Sequence, residues 1–147
     1  MKNVLIAALL LFTVVACKKV KITRLGNAPV ITLVGLSDTS LVQFSGRITV
    51  DLRYEDGDGD LGHPHPDSLL MEVRDSRLLA PDLYFIPPIA PEGAAVPVQG
   101  NFRFTLNGTF LFGNGTTELT TYTIRLRDRA GNWSNTVATP AITIKRN

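Results

Sequence analysis

Cysteine is almost absent from this chain: Cys17 is the only one in 147 residues. A single thiol excludes a disulfide framework within the chain and a cysteine-rich zinc site. If the chain is exported, an unpaired cysteine needs an explanation of its own. Here the cysteine directly follows an apolar N-terminal run, which sets it apart from the rest of the sequence.

A strong net charge and a long apolar run are also missing. Lys and Arg number 15 and Asp and Glu number 13, which gives a formal charge of +2. This near balance lacks the basic footprint of a nucleic-acid binder, so we expect no nucleic-acid partner. The apolar run over residues 4–15 is shorter than the roughly 20 residues that a transmembrane helix needs.

The N-terminus has the organisation of a signal peptide, with a short charged start, the apolar run and the sequence Val14-Val15-Ala16-Cys17. These four residues resemble the lipobox of bacterial lipoproteins. The resemblance implies cleavage after Ala16, a diacylglyceryl group on the Cys17 sulfur and a fatty acyl chain such as palmitate on the new amino terminus. An uncleaved anchor helix is the alternative. The expected organisation is a signal peptide over 1–16, a lipidated basic tether over 17–27 and one domain over 28–147.

From residue 28 onward apolar residues recur at every second position, not with the 3.6-residue period of a helix. Ile48, Val50, Leu52 and Tyr54 alternate with polar residues, which is typical of a strand with one buried face. Asn-Gly and similar turn sequences separate such runs. We therefore predict an all-β domain, a single immunoglobulin-like antiparallel β-sandwich of about seven strands. The predicted strands are 29–36, 41–54, 68–75, 83–87, 101–112, 120–128 and 136–145.

The most specific chemical feature of the domain is an acidic loop over residues 55–62, in which Asp alternates with Gly. Glycine accepts tight backbone angles, so Asp56, Asp58 and Asp60 can converge on one point. Crowded carboxylates repel one another, and calcium, which prefers oxygen ligands, relieves that repulsion. The loop begins like an EF-hand loop, but Leu61 stands where that loop needs glycine. We predict a calcium site of a different kind.

A second loop adds candidate ligands to this site. In a sandwich of this order the loop over 128–132 lies at the same end as the acidic loop, so Asp128 and Asn132 are candidate calcium ligands with the three aspartates. Asp67 is a further candidate. The alternative is a simple turn whose charge Arg127 or Arg129 neutralises.

Other candidate residues are weaker. His63 and His65 lie close together but fall short of the three or four protein ligands of a zinc site. Residues 83–100 contain four prolines, which predicts an edge strand and a loop, either solvated or contacting a ligand. Trp133 and Tyr84 are candidate binding residues, Trp133 for a sugar ring. We find no nucleophile beside a base, so we predict no catalytic residue.

The whole chain resembles a group of small lipoproteins of Bacteroidota-type bacteria that have no assigned activity. The resemblance rests on the lipobox, on Tyr54 to Gly62, on Ile86-Pro87 followed by Gly100, and on the stretch over 128–135. It implies a location in the cell envelope, at the outer membrane. In such bacteria acidic residues after the lipidated cysteine often accompany export to the surface, and Lys18-Lys19-Val20 does not match, which favours the periplasmic face.

These features predict a membrane-anchored envelope lipoprotein that acts as a non-catalytic binding or accessory module, with a structural calcium loop. Its expected partners are the membrane, through the lipid anchor, and an envelope protein or a glycan. Two alternatives stay open: a glycan-binding component of a polysaccharide-utilisation system, and an enzyme of unrecognised type.

Overall fold

The structure, a computed structural model, describes residues 25–106 and 109–147. The expected signal peptide, the Cys17 lipidation site and residues 17–24 of the expected tether lie outside the described residues. Within the described ranges, no helix is long and apolar enough to cross a membrane.

The described chain forms ten strands. Burial alternates along them: in the third strand every second residue from Ile48 to Asp56 is buried, because side chains of a strand point to opposite faces in turn. The strands are β1 (Val30–Leu36), β2 (Ser40–Val42), β3 (Ile48–Asp56), β4 (Leu69–Asp75), β5 (Asp82–Phe85), β6 (Val98–Leu106), β7 (Thr117–Thr120), β8 (Tyr122–Leu126), β9 (Val137–Ala138) and β10 (Ile142–Lys145).

The strands form two layers. One is the antiparallel sheet β1-β3-β6, and the other is made of the sheets β5-β4-β8-β9 and β2-β10-β7. These two sheets continue into each other, because β7 and β8 are separated only by Thr121, and β9 and β10 by a short segment around Pro140. β2 pairs with β10 in parallel, and the other strand pairs in the described residues are antiparallel. The predicted all-β sandwich is confirmed.

One hydrophobic core joins the two layers. Buried side chains of β3, such as Leu52, belong to the same cluster as Val73 of β4, Ile124 of β8 and Ile144 of β10. Removing a large side chain from such a core costs about 2–5 kcal/mol, so these contacts hold the sandwich together without covalent links.

Several predicted strands are broken in the structure. The predicted strand 41–54 is interrupted after β2 by a turn in which Phe44 has a φ of 63° and Gly46 donates its N–H to the Val42 carbonyl. The predicted strand 136–145 is interrupted at Pro140, which has no N–H to donate. The predicted strand 120–128 is interrupted at Thr121, and β6 runs over Val98–Leu106 instead of 101–112. Apolar residues keep the same alternation past Phe44 and past Leu106, so periodicity alone predicts strands that are too long there.

Candidate metal site

The acidic loop leaves the end of β3 and is fixed by contacts with other parts of the chain. Gly57 donates its N–H to the Gly26 carbonyl at 3.0 Å, at the point where the described chain begins. On the other side of the loop, Ile89 donates to the Leu61 carbonyl at 3.2 Å. Leu61 itself is fully buried. The loop is therefore held in place between the start of the domain and the proline-rich segment.

Two glycines allow the loop to pack this closely. Gly59 and Gly62 have φ values of 72° and 82°, in the left-handed region that favours glycine. A Cβ atom at Gly59 would collide with the Val96 carbonyl, and one at Gly62 with the Pro87 carbonyl. The alternation of Asp and Gly thus serves packing as well as chemistry.

The three aspartates of the loop converge. Asp56, Asp58 and Asp60 each offer a carboxylate oxygen, and these atoms all lie within 4.8 Å of one another. The Oδ1 atom of each of these residues is buried and forms no hydrogen bond with any part of the chain that the structure describes. The ligand oxygens of one calcium ion, at about 2.3–2.6 Å from the metal, lie no more than about 5 Å apart, so this spacing fits a shared ion.

Two of the other carboxylate oxygens in the cluster accept hydrogen bonds from the backbone. Asp56 Oδ2 accepts one from the Leu61 N–H at 3.1 Å. Asp60 Oδ2 accepts one from the Ala130 N–H at 2.9 Å. These bonds hold two of the carboxylates in place and leave their other oxygens directed into the cluster. Backbone groups of the folded domain therefore fix the positions of these two carboxylates.

The electrostatics of the cluster oppose ionisation. Burial, followed by the neighbouring carboxylates of Asp58 and Asp60, raises the pKa of Asp56 to about 6, although the Leu61 N–H acts against the rise. The pKa of Asp60 is also raised, first by burial and then by Asp128 and Asp58, although the Ala130 N–H and Arg129 act against the rise. Burying unpaired carboxylates carries a large desolvation cost, which a bound cation would offset.

The two loops meet as the sequence predicts, but through different atoms. Arg129 donates its backbone N–H to the Asp60 carbonyl at 3.2 Å, beside the Ala130 bond. Asp128 is buried, and its two oxygens accept from the backbone N–H and the side-chain Nδ2 of Asn132, at 2.7 and 2.8 Å. Asp128 and Asn132 therefore stabilise their own turn, and Asp128 is not one of the three carboxylates that converge.

The arginines near the loop make their close contacts away from the three aspartates. The Arg129 guanidinium donates to the Gly62 carbonyl at 3.1 Å, and that of Arg127 lies 5.4 Å from the centre of the Trp133 ring. Within residues 25–106 and 109–147 no ion pair links an arginine to any of the three aspartates. Among the described residues, the carboxylate cluster thus has no cationic side chain in an ion pair with it.

The other candidate ligands stand apart from the cluster. The rings of His63 and His65 lie 5.3 Å apart, and His63 Nδ1 accepts the His65 backbone N–H at 3.1 Å. Asp67 is exposed. None of these side chains belongs to the group of carboxylates that converge in the acidic loop.

Trp133 and Tyr84 lie on opposite faces of one sheet. Trp133 is 36% exposed on the outer face, where the Arg125 guanidinium lies 4.0 Å from the centre of its ring. Tyr84 faces inward, with its ring 5.6 Å from that of Phe104 in the other layer, and burial raises its pKa. The two residues therefore do not form a shared binding platform.

Sequence reasoning missed a buried ion-pair network at the far end of the sandwich. Arg77 binds Asp75 at 2.7 Å and Glu118 at 2.8 Å, and it also donates to Thr109. The only local signal is the spacing of Asp75 and Arg77 across a turn. Glu118 is distant in sequence, so the pattern of residues gives no indication of the network.

Comparison with known proteins gives no relative: no protein-family model matches the chain, and neither the curated proteins nor the solved structures include a significant match. Function must therefore be argued from the site itself.

Proposed function

We propose that this protein is a lipid-anchored, non-catalytic module of the bacterial cell envelope whose acidic loop binds one calcium ion. The observation that carries the proposal is the set of buried, unpartnered Oδ1 atoms of Asp56, Asp58 and Asp60. Calcium is favoured over softer metals because the available donors are all oxygens. It is favoured over magnesium because magnesium sheds its water reluctantly, whereas these ligands are buried.

The proposed role of the ion is structural. Besides its carboxylates, the loop contacts the start of the domain at Gly26, the proline-rich segment at Ile89 and the turn at Arg129. A cation in the cluster would remove the repulsion that opposes this arrangement. Its binding free energy would then stabilise four segments that meet at one end of the sandwich.

The proposed location rests on the sequence. The lipobox ending at Cys17 supports a lipid anchor, and two or three acyl chains give stable membrane attachment. The basic residues Lys18 and Lys19, in place of acidic ones, support the periplasmic face of the outer membrane. In this setting the module would serve an envelope protein or a glycan.

Thermal unfolding of the mature protein in EDTA and in millimolar calcium tests the metal proposal. An ion at about 100 times its Kd adds about 2.7 kcal/mol. At about 4 °C per kcal/mol for a domain of this size, we expect Tm to rise by roughly 10 °C. Asp58→Asn should abolish the rise, whereas Asp67→Asn, which removes the same charge from an exposed position nearby, should retain it. An equal Tm for the wild type in EDTA and calcium would refute the proposal.

Mass spectrometry of a detergent extract from the native host tests the anchor separately. We expect a chain that begins at Cys17 and carries the mass of a diacylglyceryl group and a further acyl chain. A chain with an unmodified Cys17 would refute the lipid anchor and leave the metal proposal unaffected.

A further inference from the structure

Three arginines project from the outer face of the sheet β5-β4-β8-β9. Arg125 and Arg127 follow the buried residues Ile124 and Leu126 in alternation, so they share the face that points away from the core. Arg74 of β4 is paired in register with Thr123, one step before Arg125 on the same face. Successive positions on one face of a strand are about 6.6 Å apart. The three arginines therefore occupy a row of positions along the outer face of the sheet.

This row differs from the outer face of the other layer. There the arginines have carboxylate partners: Arg53 binds Glu55 at 3.3 Å, and Arg103 binds Asp51 at 2.6 Å. In the row, Arg125 binds Glu72 at 2.6 Å.

Arg74 and Arg127 form no ion pair with any residue in the described ranges. The row thus has positive charge that the described protein does not neutralise, and this charge is available to an anionic ligand.

Two of the guanidinium groups in the row contact an aromatic ring. Arg125 and Arg127 lie 4.0 and 5.4 Å from the centre of the Trp133 ring. Stacking of this kind restricts long side chains before a ligand arrives, which lowers the entropic cost of binding. Trp133 therefore serves to position the arginines and does not act as a free stacking platform.

The face has the shape of an extended binding surface. A depression of about 320 Å³ is lined by Glu72, Arg74, Pro81, Thr123, Arg125 and Thr136. A second depression, of about 620 Å³, has Arg127 and Arg129 in its lining, together with Asp67, Asp128 and three leucines. Both carboxylate oxygens of Asp128 accept hydrogen bonds from Asn132, so this acidic group is already bonded within its own turn. The row of arginines leads from the first depression to the second. A ligand that follows the row would be elongated and would carry several negative charges.

We propose that this face binds an acidic oligosaccharide, a sugar chain that carries carboxylate or sulfate groups. The guanidinium groups pair with its charges, and the hydroxyls of Thr123 and Thr136 bond to its hydroxyl groups. Within the first depression an acidic peptide fits less well, because Pro81 is the one apolar side chain in its lining. The second depression also contains Leu69, Leu70 and Leu83, so the test below compares the sugar directly with polyglutamate. This inference specifies the ligand of the proposed binding module and so rests on that function, but the surface contains none of the three clustered aspartates.

Binding of oligogalacturonate to the mature protein, at low ionic strength and fixed millimolar calcium, tests the inference. We expect Arg74→Gln with Arg127→Gln to weaken binding at least about tenfold, since each substitution removes a charged hydrogen bond to the ligand. The matched control is Arg53→Gln with Arg103→Gln, which removes the same charge from the opposite layer and should weaken binding less than about threefold. A neutral malto-oligosaccharide of equal length should not bind.

Three results would overturn the inference: no binding of oligogalacturonate, equal loss of affinity in both double variants, or binding of polyglutamate as tight as that of the sugar. The calcium-dependent rise in Tm, measured on the wild type, separates the two proposals. If the wild type shows that rise but fails to bind the sugar, only the ligand assignment is wrong. If the sugar binds but calcium leaves Tm unchanged, only the metal assignment is wrong.

Discussion

Two buried aspartates at opposite ends of the sandwich differ in what surrounds them. Asp75 ends β4, is 4% exposed, and accepts hydrogen bonds from Arg77 and Thr120. Burial raises its pKa, but the bonds from Arg77 and Thr120 outweigh that effect and leave the pKa below its usual value. Asp56 ends β3, is fully buried, and lies beside two further carboxylates. Its pKa is raised to about 6.

The difference indicates at which end of the molecule stability depends on a cation from solution. At the Asp75 end the chain supplies its own cation, because Arg77 lies two residues away and also binds Glu118. At the Asp56 end the nearby Arg129 binds a carbonyl instead. A buried carboxylate without a counter-charge is costly. We therefore expect calcium to affect the stability of one end and to leave the other end unchanged.

The largest effect on stability is expected at the Asp75 end, where the Arg77 side chain supplies the cation. Arg77→Ala leaves the buried Asp75 carboxylate unpaired, which should lower the free energy of unfolding by about 3–5 kcal/mol. Urea unfolding in calcium and in EDTA measures the loss. The loss should be equal in both conditions, and a loss that depends on calcium would contradict the separation of the two ends.

In EDTA at pH 7, neutralising Asp56 and neutralising Asp75 should change the free energy of unfolding in opposite directions. Asp56→Asn removes a repelled charge and should raise the free energy of unfolding by roughly 2–3 kcal/mol, because a pKa near 6 in the folded state opposes ionisation. Asp75→Asn removes a stabilised charge and should lower it. In calcium this advantage of Asp56→Asn should shrink to about zero, because the wild type gains about 2.7 kcal/mol from the ion and the variant gains none. Urea unfolding in the two conditions measures these differences, and a loss of stability for Asp56→Asn in EDTA would contradict the account.

The pH dependence of stability should also distinguish the ends. In EDTA the folded state binds more protons at Asp56 than the unfolded state between about pH 4 and pH 6, so stability should fall as pH rises through that range. The pKa of Asp75 is lowered, so its contribution is present above about pH 4 and is lost only as pH falls further. Chemical unfolding of the wild type and Asp56→Asn measures the difference, and equal slopes for both would contradict the raised pKa.

The smallest effect is expected at an exposed pair. Arg103 binds Asp51 at 2.6 Å, but its side chain is 70% exposed. Exposed ion pairs contribute little to stability. Arg103→Ala should therefore leave the Tm nearly unchanged in both calcium and EDTA, and this variant serves as the control for Arg77→Ala.

The sequence predicts the fold class because alternation reports directly which face of a strand is buried. It does not predict every interruption, since Phe44 interrupts a run in which apolar residues keep the same alternation on both sides. Pro140 was a visible signal, because a residue without an N–H cannot continue a sheet ladder.

The candidate site was predictable in part for a similar reason. The Asp-Gly alternation is local, so it indicates that Asp56, Asp58 and Asp60 can converge. The bonding of Asp128 to Asn132 depends on the geometry of a turn, which residue types alone do not specify. Residue spacing also gives no sign of the contacts of the loop with Gly26 and Ile89, which come from distant parts of the chain.

Calorimetric titration of calcium into the metal-free mature protein tests the central claim most directly. The account predicts one ion bound per chain by the wild type and by Asp67→Asn, and none by Asp58→Asn. Absence of binding to a folded wild-type protein, or unchanged binding by a folded Asp58→Asn variant, would contradict it.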